Sequence, residues 1–351
     1  MQTILATGGM GFIGSHTCVS LIENNFNVYI IDSLENSSIE NLSSIKKICS
    51  QYQNSSKVKI TFFKGDIRDK EFLMDTFKKA ELEGNPIEAV IHFAGLKSVN
   101  ESIENPLSYW ETNVCGTNNL LNVMQIYNCK KIVFSSSATV YKPVQNRSIN
   151  EESELGPINP YGQTKLAVEN MLGDLMKDKS QNWKIINLRY FNPVGAHISG
   201  LLGENPKGIP NNLFPIILKV ASGESQNLFI YGKDWSTYDG TCIRDYIHVQ
   251  DLAEAHCYAL RFLLNNKPQI LNLNIGSGVG TSVLQLVNTF IEQNNCEVPY
   301  EFVSRRIGDV PFIVADNNFA ISKIGWKPKR DLKAMCRDGW LWQIKNPNGY
   351  K

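Results

Sequence analysis

A chain of 351 residues, at roughly 150 per domain, has room for two domains or one large two-lobed unit. Its 42% hydrophobic content and formal net charge of +1 describe an ordinary globular protein and exclude the basic footprint of a nucleic-acid binder. Eight scattered cysteines without a Cys-x-x-Cys pair, and five histidines without metal-ligand spacing, argue against a disulfide framework or a metal site. The first strand-like run starts by Thr3, which leaves no room for a basic segment and an apolar signal core. With no run near ~18 consecutive apolar residues either, a cytoplasmic protein is expected.

Residues 3–7 read as a strand, 12–22 as a helix, 27–32 as a strand and 40–50 as a weaker helix. Residues 58–63, 89–93 and 131–135 continue as strands, with helices over 70–79 and 106–126 between them and a further strand over 183–190. This alternation predicts an α/β fold with a Rossmann-type, doubly wound parallel sheet. After Asn192 the alternation breaks. Gly200, Gly203, Pro206, Gly208 and Pro210 punctuate a loop-rich passage, and short mixed elements follow, as in a smaller C-terminal α/β lobe for substrate. The expected division is 1–192 and 193–351, with some later segments returning to the first domain.

Between the first strand and helix stands Thr7-Gly8-Gly9-Met10-Gly11-Phe12-Ile13-Gly14. Glycines there let the backbone approach a dinucleotide pyrophosphate, and the helix end supplies N–H donors. The second strand ends at Asp32, close to the ~20-residue offset at which a carboxylate reaches the adenosine ribose. No arginine follows it, so NAD is expected over NADP. The plainer explanation, a turn cluster with no ligand, fits less well because the loop joins a strand to a helix.

In Asn159-Pro160-Tyr161-Gly162-Gln163-Thr164-Lys165 a tyrosine and a lysine four residues apart share one helical face. A nearby ammonium favours an ionised phenol, so the pair is expected to lower the Tyr161 pKa and make a general base. A second Tyr-x-x-x-Lys, Tyr127 to Lys131, has no catalytic company and reads as a surface pair.

The glycine spacing, Ser135-Ser136-Ser137 and Tyr161-x-x-x-Lys165 together resemble the extended short-chain dehydrogenase/reductase family. Longer blocks narrow the likeness. His92-Phe93-Ala94-Gly95-Leu96-Lys97, Ser135-Ser136-Ser137-Ala138-Thr139-Val140-Tyr141, Arg189-Tyr190-Phe191-Asn192-Pro193-Val194-Gly195-Ala196-His197, Ile209-Pro210-Asn211-Asn212-Leu213 and Arg244-Asp245-Tyr246-Ile247-His248-Val249 resemble its UDP-glucose 4-epimerase (UDP-galactose 4-epimerase) branch. The resemblance covers nearly the whole chain. It implies an isomerase of carbohydrate metabolism that interconverts UDP-glucose and UDP-galactose. The steps it implies are NAD-dependent oxidation at sugar C4, rotation of the 4-keto intermediate and hydride return to the opposite face.

By this resemblance Gly8, Gly11, Phe12, Ile13 and Gly14 lie under the NAD pyrophosphate, Asp32, Asn36 and Ser37 surround the adenosine, and Asp66 and Ile67 flank the adenine. Phe93, Ala94, Gly95, Lys97 and Asn113 line the way to the nicotinamide, with Tyr190 and Phe191 also on the cofactor. Ser137 orients the reacting hydroxyl, Tyr161 takes its proton, and Lys165 holds the nicotinamide ribose. Lys97 also reaches the substrate. Asn192, Asn212 and Leu213 are assigned to the substrate's diphosphate, Phe229 and Tyr231 to the uracil, Arg244 and Arg306 to the phosphates, and Asp309 to the uridine ribose. The resemblance further implies a homodimer, a first domain for NAD and a second for the UDP-sugar.

Two departures matter. Lys142 stands where relatives often have glycine, and Ile313 is intermediate between the tyrosine of relatives restricted to UDP-glucose and UDP-galactose and the smaller residue of those accepting N-acetylated sugars. Dehydratases of this fold carry Asp and Glu just beyond the serine, and uronate decarboxylases a Glu; here Ala138 and Thr139 occupy those places. The remaining alternatives are a 4-epimerase of UDP-N-acetylhexosamines or UDP-uronates, and, in another class, a non-catalytic dinucleotide-sensing regulator.

Overall fold

The apolar runs expected as strands form β1 (Thr3–Thr7), β2 (Asn27–Asp32), β3 (Ile60–Lys64), β4 (Ile87–His92), β5 (Lys131–Ser137) and β6 (Lys184–Tyr190) in the computed structural model. The structure describes residues 1–51, 57–143, 147–208, 210, 212–306 and 308–350. Helices α1 (Phe12–Glu23), α2 (Glu40–Cys49), α3 (Lys70–Leu82), α4 (Val99–Glu104), α5 (Pro106–Tyr109), α6 (Gly116–Ile126) and α7 (Pro160–Leu175) accompany these strands. The later chain adds β7 (Asn192–Val194), β8 (Leu228–Tyr231), β9 (Ile243–His248), β10 (Ile270–Ile275), β11 (Gly280–Ser282), β12 (Tyr300–Val303) and β13 (Phe312–Ile313). With them come α8 (Leu213–Ala221), α9 (Val249–Asn265), α10 (Val283–Asn294), α11 (Asn318–Ile324) and α12 (Leu332–Lys345).

Among the described residues the main sheet has the order β10-β6-β5-β4-β1-β2-β3. The pairs β1–β2, β1–β4, β2–β3 and β4–β5 are parallel. Every residue of β1 and of β2 is buried, as strands covered on both faces require. Leu5, Tyr29, Phe77, Leu120, Phe134, Val168 and Trp183 belong to one core cluster that joins sheet and helices. The chain order reverses between β1 and β4, the position where doubly wound sheets bind ligands at the carboxyl ends of their strands. The glycine loop follows β1 at this crevice.

The helix expected over 106–126 is divided: α5 passes through a π-helical turn, Trp110–Cys115, into α6. Asn113 in that turn is buried and bonded on its inner side, an arrangement that apolar periodicity does not register. α7 starts as its sequence specifies. The Asn159 side chain accepts from Gly162 N at 2.8 Å, and Pro160 occupies the first turn.

The chain forms two compact units rather than two consecutive halves. The first comprises Met1–Lys142, Glu154–Arg189 and Ala253–Leu273, and the second Pro143–Ser153, Tyr190–Leu252 and Asn274–Lys351. The expected boundary near 192 lies close to the break at Arg189, but 143–153 groups with the second unit and 253–273 with the first. In the second unit β9 is central, pairing with β7, β11 and β13, while β8 and β12 form a separate parallel pair. The Asp245 carboxylate knits this sheet together, accepting from Ser277 N, Gly278 N and Ala315 N at 2.6, 2.9 and 3.1 Å. Among the described residues no helix is long and apolar enough to cross a membrane.

Gly8 has φ +69°, and a Cβ there would stand 2.6 Å from Ala94 N. Left-handed backbone alone costs roughly 1–2 kcal/mol for an L residue, before any clash. Gly8→Ala is therefore expected to lower the thermal unfolding temperature measurably; an unchanged melting curve would show that the loop does not need this glycine.

Candidate active site

At the crevice, Gly8 N donates to Ile31 O at 2.7 Å, and Thr7 O accepts from Phe93 N and Ala94 N at 2.9 and 3.0 Å. The β1 and β4 loops therefore touch backbone to backbone. A Cβ on Gly14 would lie 2.4 Å from Gly8 O, so the close turn into α1 needs glycine. Gly11 is the N-cap of α1 and brings no capping side chain, and the first turn, with Phe12 and Ile13, has no acidic residue. First-turn N–H groups without a capping side chain at Gly11, in a cradle that a Cβ would fill, fit a dinucleotide's pyrophosphate.

Asp32 is buried at the end of β2. Oδ2 accepts from Met10 N at 2.9 Å, while Oδ1 accepts from Leu34 N at 2.9 Å and Ser37 Oγ at 2.8 Å. The carboxylate is thereby fixed, with acceptor capacity to spare for a ribose hydroxyl. Asn36 beside it is exposed. Asp66 is bound by Arg68, with Nη2 to Oδ2 at 2.7 Å, and this bond holds its carboxyl below the usual range. Ile67 is buried and packs against Gly116, where a Cβ would meet its Cδ1 at 2.7 Å.

Beyond β4, the Phe93 ring lies 4.8 Å from that of His256, and Lys97 is exposed. Asn113 receives Leu96 N on its Oδ1 at 2.7 Å and donates to Leu96 O and to Thr164 Oγ1, each at 3.0 Å. Thr164 Oγ1 in turn donates to Tyr161 O at 2.7 Å, so one amide links the Gly95–Leu96 loop to α7. His92 lies between Thr7 and Thr117 at 2.6 and 2.8 Å; burial, with the Lys165 charge adding, pushes its pKa down to about 3, so it stays neutral.

The structure brings Ser137, Tyr161 and Lys165 together. Ser137 ends β5 and its Oγ accepts from Thr139 N at 3.2 Å and Thr139 Oγ1 at 3.0 Å. Tyr161 packs edge-on against Tyr109 with centroids 6.4 Å apart. Lys165 is 5% exposed; its Nζ donates to Ser135 O at 2.7 Å and lies 5.8 Å from the centre of the Tyr161 ring. The expected depression of the Tyr161 pKa by Lys165 is not what the electrostatics show. Burial pushes Tyr161 up to about 12, opposed by its hydrogen bond with Ser137, and burial pushes Lys165 down to about 8. Burial is the dominant cause of both shifts, and the ammonium donates to the Ser135 carbonyl.

The second unit holds the other predicted residues. Tyr190 and Phe191 are buried, and Asn192 opens β7, paired in register with Tyr246 of β9. Asn212 is exposed, its Nδ2 3.5 Å from Glu204 Oε1, and Leu213 begins α8; Ile209 and Asn211 of the same block lie outside the described residues. Phe229 and Tyr231 are the two exposed positions of β8. Arg306 lies over the Tyr231 ring at 5.5 Å and grips Asp309, Nη2 to Oδ1 at 2.9 Å. Arg244 reaches the same carboxylate at 3.7 Å. Ile313 is partly buried and pairs with Arg244 across β13 and β9. Two arginines and an aromatic face gathered round one carboxylate suit a phosphorylated, ring-bearing ligand.

Four further polar residues beside the site were given no role from the sequence. Thr164, Ser136, Glu169 and Arg189 are buried and hydrogen-bonded to one another or to the residues above. Glu169 could have been found as the next step after Tyr161 and Lys165 on the same face of α7.

A glycine-cradled dinucleotide crevice beside a Ser-Tyr-Lys group defines the class: a short-chain dehydrogenase/reductase-type protein on a Rossmann sheet. The sequence model of the GDP-mannose 4,6 dehydratase family matches residues 5–339. The UDP-glucose 4-epimerase of Bacillus subtilis (strain 168) is 47% identical over 350 residues, covering 100% of this chain and 99% of that protein. The UDP-glucose 4-epimerase of Stenotrophomonas maltophila, solved with bound NAD and formylated UDP-arabinopyranose, superposes with TM-score 0.93 at 42% identity, covering 99% of both chains. That of Bifidobacterium longum, in complex with NAD+ and UDP, gives TM-score 0.90 at 41% identity over 99% of this chain and 100% of that one. The chain belongs to this epimerase/dehydratase family, in its UDP-glucose 4-epimerase branch.

Asp32→Ala removes the acceptor for three loop donors and the charge that would repel a 2′-phosphate. Titration of the variant with NAD and NADP should show weaker NAD binding, by about tenfold, and reduced discrimination between the two. Unchanged preference would contradict the role of this carboxylate.

Proposed function

We propose that the protein interconverts UDP-glucose and UDP-galactose, using NAD held in the glycine crevice of the first unit. The observation that carries this reading is the meeting of Ser137, Tyr161 and Lys165 at the end of β5, next to that crevice. NAD, when bound, supplies the acceptor for the C4 hydride and its return. The chain's own residues do the rest. Ser137 orients the C4 hydroxyl, Tyr161 takes and restores its proton, and Lys165 places positive charge beside the phenol and a ribose hydroxyl.

The second unit anchors the nucleotide. Arg244 and Arg306 meet the diphosphate, Phe229 and Tyr231 the uracil, and Asn192, Asn212, Leu213 and Asp309 complete the binding of nucleotide and ribose. Binding through these remote groups leaves the sugar free to turn over between oxidation and reduction. Ala138 and Thr139 offer no carboxyl for eliminating water, which supports plain epimerisation over the dehydratase chemistry after which the family model is described. Ile313 bears on the tolerance for a 2-substituent on the sugar, so UDP-N-acetylhexosamines and UDP-uronates belong in the same assay. A homodimer in the cytoplasm is part of the proposal; the exposed Ile103 and Leu107 offer apolar surface for a subunit contact, and sedimentation equilibrium measures it.

The direct assay incubates the purified protein with UDP-galactose alone and separates the sugar nucleotides. Convergence on one UDP-glucose/UDP-galactose mixture from either side is expected, and two unchanged sugars would reject the substrate assignment. Tyr161→Phe should lower kcat by about 10²–10⁴-fold with substrate affinity nearly intact; near-wild-type turnover would remove Tyr161 from the chemistry. The pH–rate profile should climb as Tyr161 ionises and break near pH 8, where Lys165 loses its proton. A flat profile from about pH 6 to about pH 9 would contradict both assignments.

A further inference from the structure

Glu169 lies one helical turn beyond Lys165 on α7, and Arg189 lies on β6; their exposures are 6% and 1%. The guanidinium grips the carboxylate twice, Nε to Oε1 at 3.0 Å and Nη2 to Oε2 at 2.6 Å. Ser136 Oγ donates to the same Oε1 at 2.5 Å, and Arg189 Nη1 donates to Tyr141 Oη at 2.8 Å. A buried ion pair is poor evidence of stabilisation, because desolvation offsets most of the attraction; its best-attested use is to fix register.

Register is what this pair touches. Lys165 bonds the carbonyl of Ser135, and Glu169 bonds the hydroxyl of Ser136. One helix is thus tied at two points, four residues apart, to consecutive residues of β5. The next residue of that strand is Ser137, whose hydroxyl meets the Tyr161 phenol. We propose that Glu169 and Arg189 are positioning residues for the reaction, locking the end of β5 against α7 so that Ser137 meets Tyr161, and setting a negative charge beside Lys165. The inference rests on the catalytic reading of Ser137, Tyr161 and Lys165.

The titratable and charged groups facing Lys165 are His92 from β4, Tyr161 and Glu169 on its own helix, and, through Glu169, Arg189 from β6 with Tyr141. His92 is neutral, and Glu169 is the group that favours the ammonium. Removing the Glu169 charge therefore lowers the Lys165 pKa further.

The test compares wild type with Glu169→Gln, Glu169→Gln/Arg189→Met and Ser136→Ala as holoenzymes, measuring kcat and KM for UDP-galactose across pH together with NAD content and thermal unfolding. Glu169→Gln should move the break near pH 8 to lower pH, by about half a pH unit or more, and lower kcat at neutral pH by about tenfold with KM within about twofold. If the single variant fails to fold, the double variant, which leaves no unbalanced charge, should show the same displacement. Ser136→Ala keeps both charges and cuts the tether; its kcat should fall by about three- to tenfold with the break unmoved. A folded charge variant whose profile overlays that of wild type overturns the proposal, and so does Ser136→Ala with wild-type kcat if neither charge variant folds. An inactive wild type would defeat the functional reading and this inference with it, whereas active wild type with unmoved variants defeats the inference alone.

Discussion

An ammonium ion buried at the carboxyl end of an interior strand sets the terms for this active site. Desolvation makes an isolated charge in such a place very unfavourable, so Lys165 must be met by oriented partners. It has the Ser135 carbonyl at 2.7 Å, the Phe134 ring at 4.9 Å and the Glu169 carboxylate one turn along the helix. Each partner belongs to β5 or α7. The requirement to satisfy one charge therefore brings the end of the strand and the start of the helix together, and with them Ser137 and Tyr161. The Asn159 cap and Pro160 begin α7 at the residue that makes this possible.

The two units present different chemistry. In the first, the glycine loop offers backbone N–H groups and space, and its side-chain contribution is concentrated in Asp32, already fixed by three donors. In the second, Arg306 is held by Asp309, while Arg244 donates to the Ile243 and Val310 carbonyls and lies 3.7 Å from the same carboxylate. On the proposed reading, a diphosphate brought to these arginines would meet guanidinium groups already paired with an anion, which limits the desolvation that binding requires.

Features set by neighbouring residues were legible from the chain alone. The glycine spacing, the acidic end of β2 and the four-residue step from Tyr161 to Lys165 are local, and each reappears in the geometry. The strands were readable because buried parallel strands are continuous apolar runs. Contacts between distant segments were not readable. Asn113 in the π-helical turn bonds both Leu96 and Thr164, and no periodicity encodes those partners. Glu169 and Arg189 sit on different elements, and their pairing arises only when α7 packs on the sheet. The Tyr161 pKa has the opposite displacement from that expected, because spacing reveals the neighbouring lysine but not the burial. The interchange of 143–153 and 253–273 between the two units likewise depends on contacts far apart in sequence.

In the proposed reaction the hydride that leaves C4 of the sugar comes back to the same carbon of the same molecule, because the nucleotide stays anchored while the sugar turns. Conversion of UDP-galactose deuterated at C4, followed by mass spectrometry of the UDP-glucose formed, tests this directly. Full retention of the label at C4, with none in solvent, is the predicted result. Loss of the label to water, or its dilution by an unlabelled sugar nucleotide added to the same reaction, would contradict it.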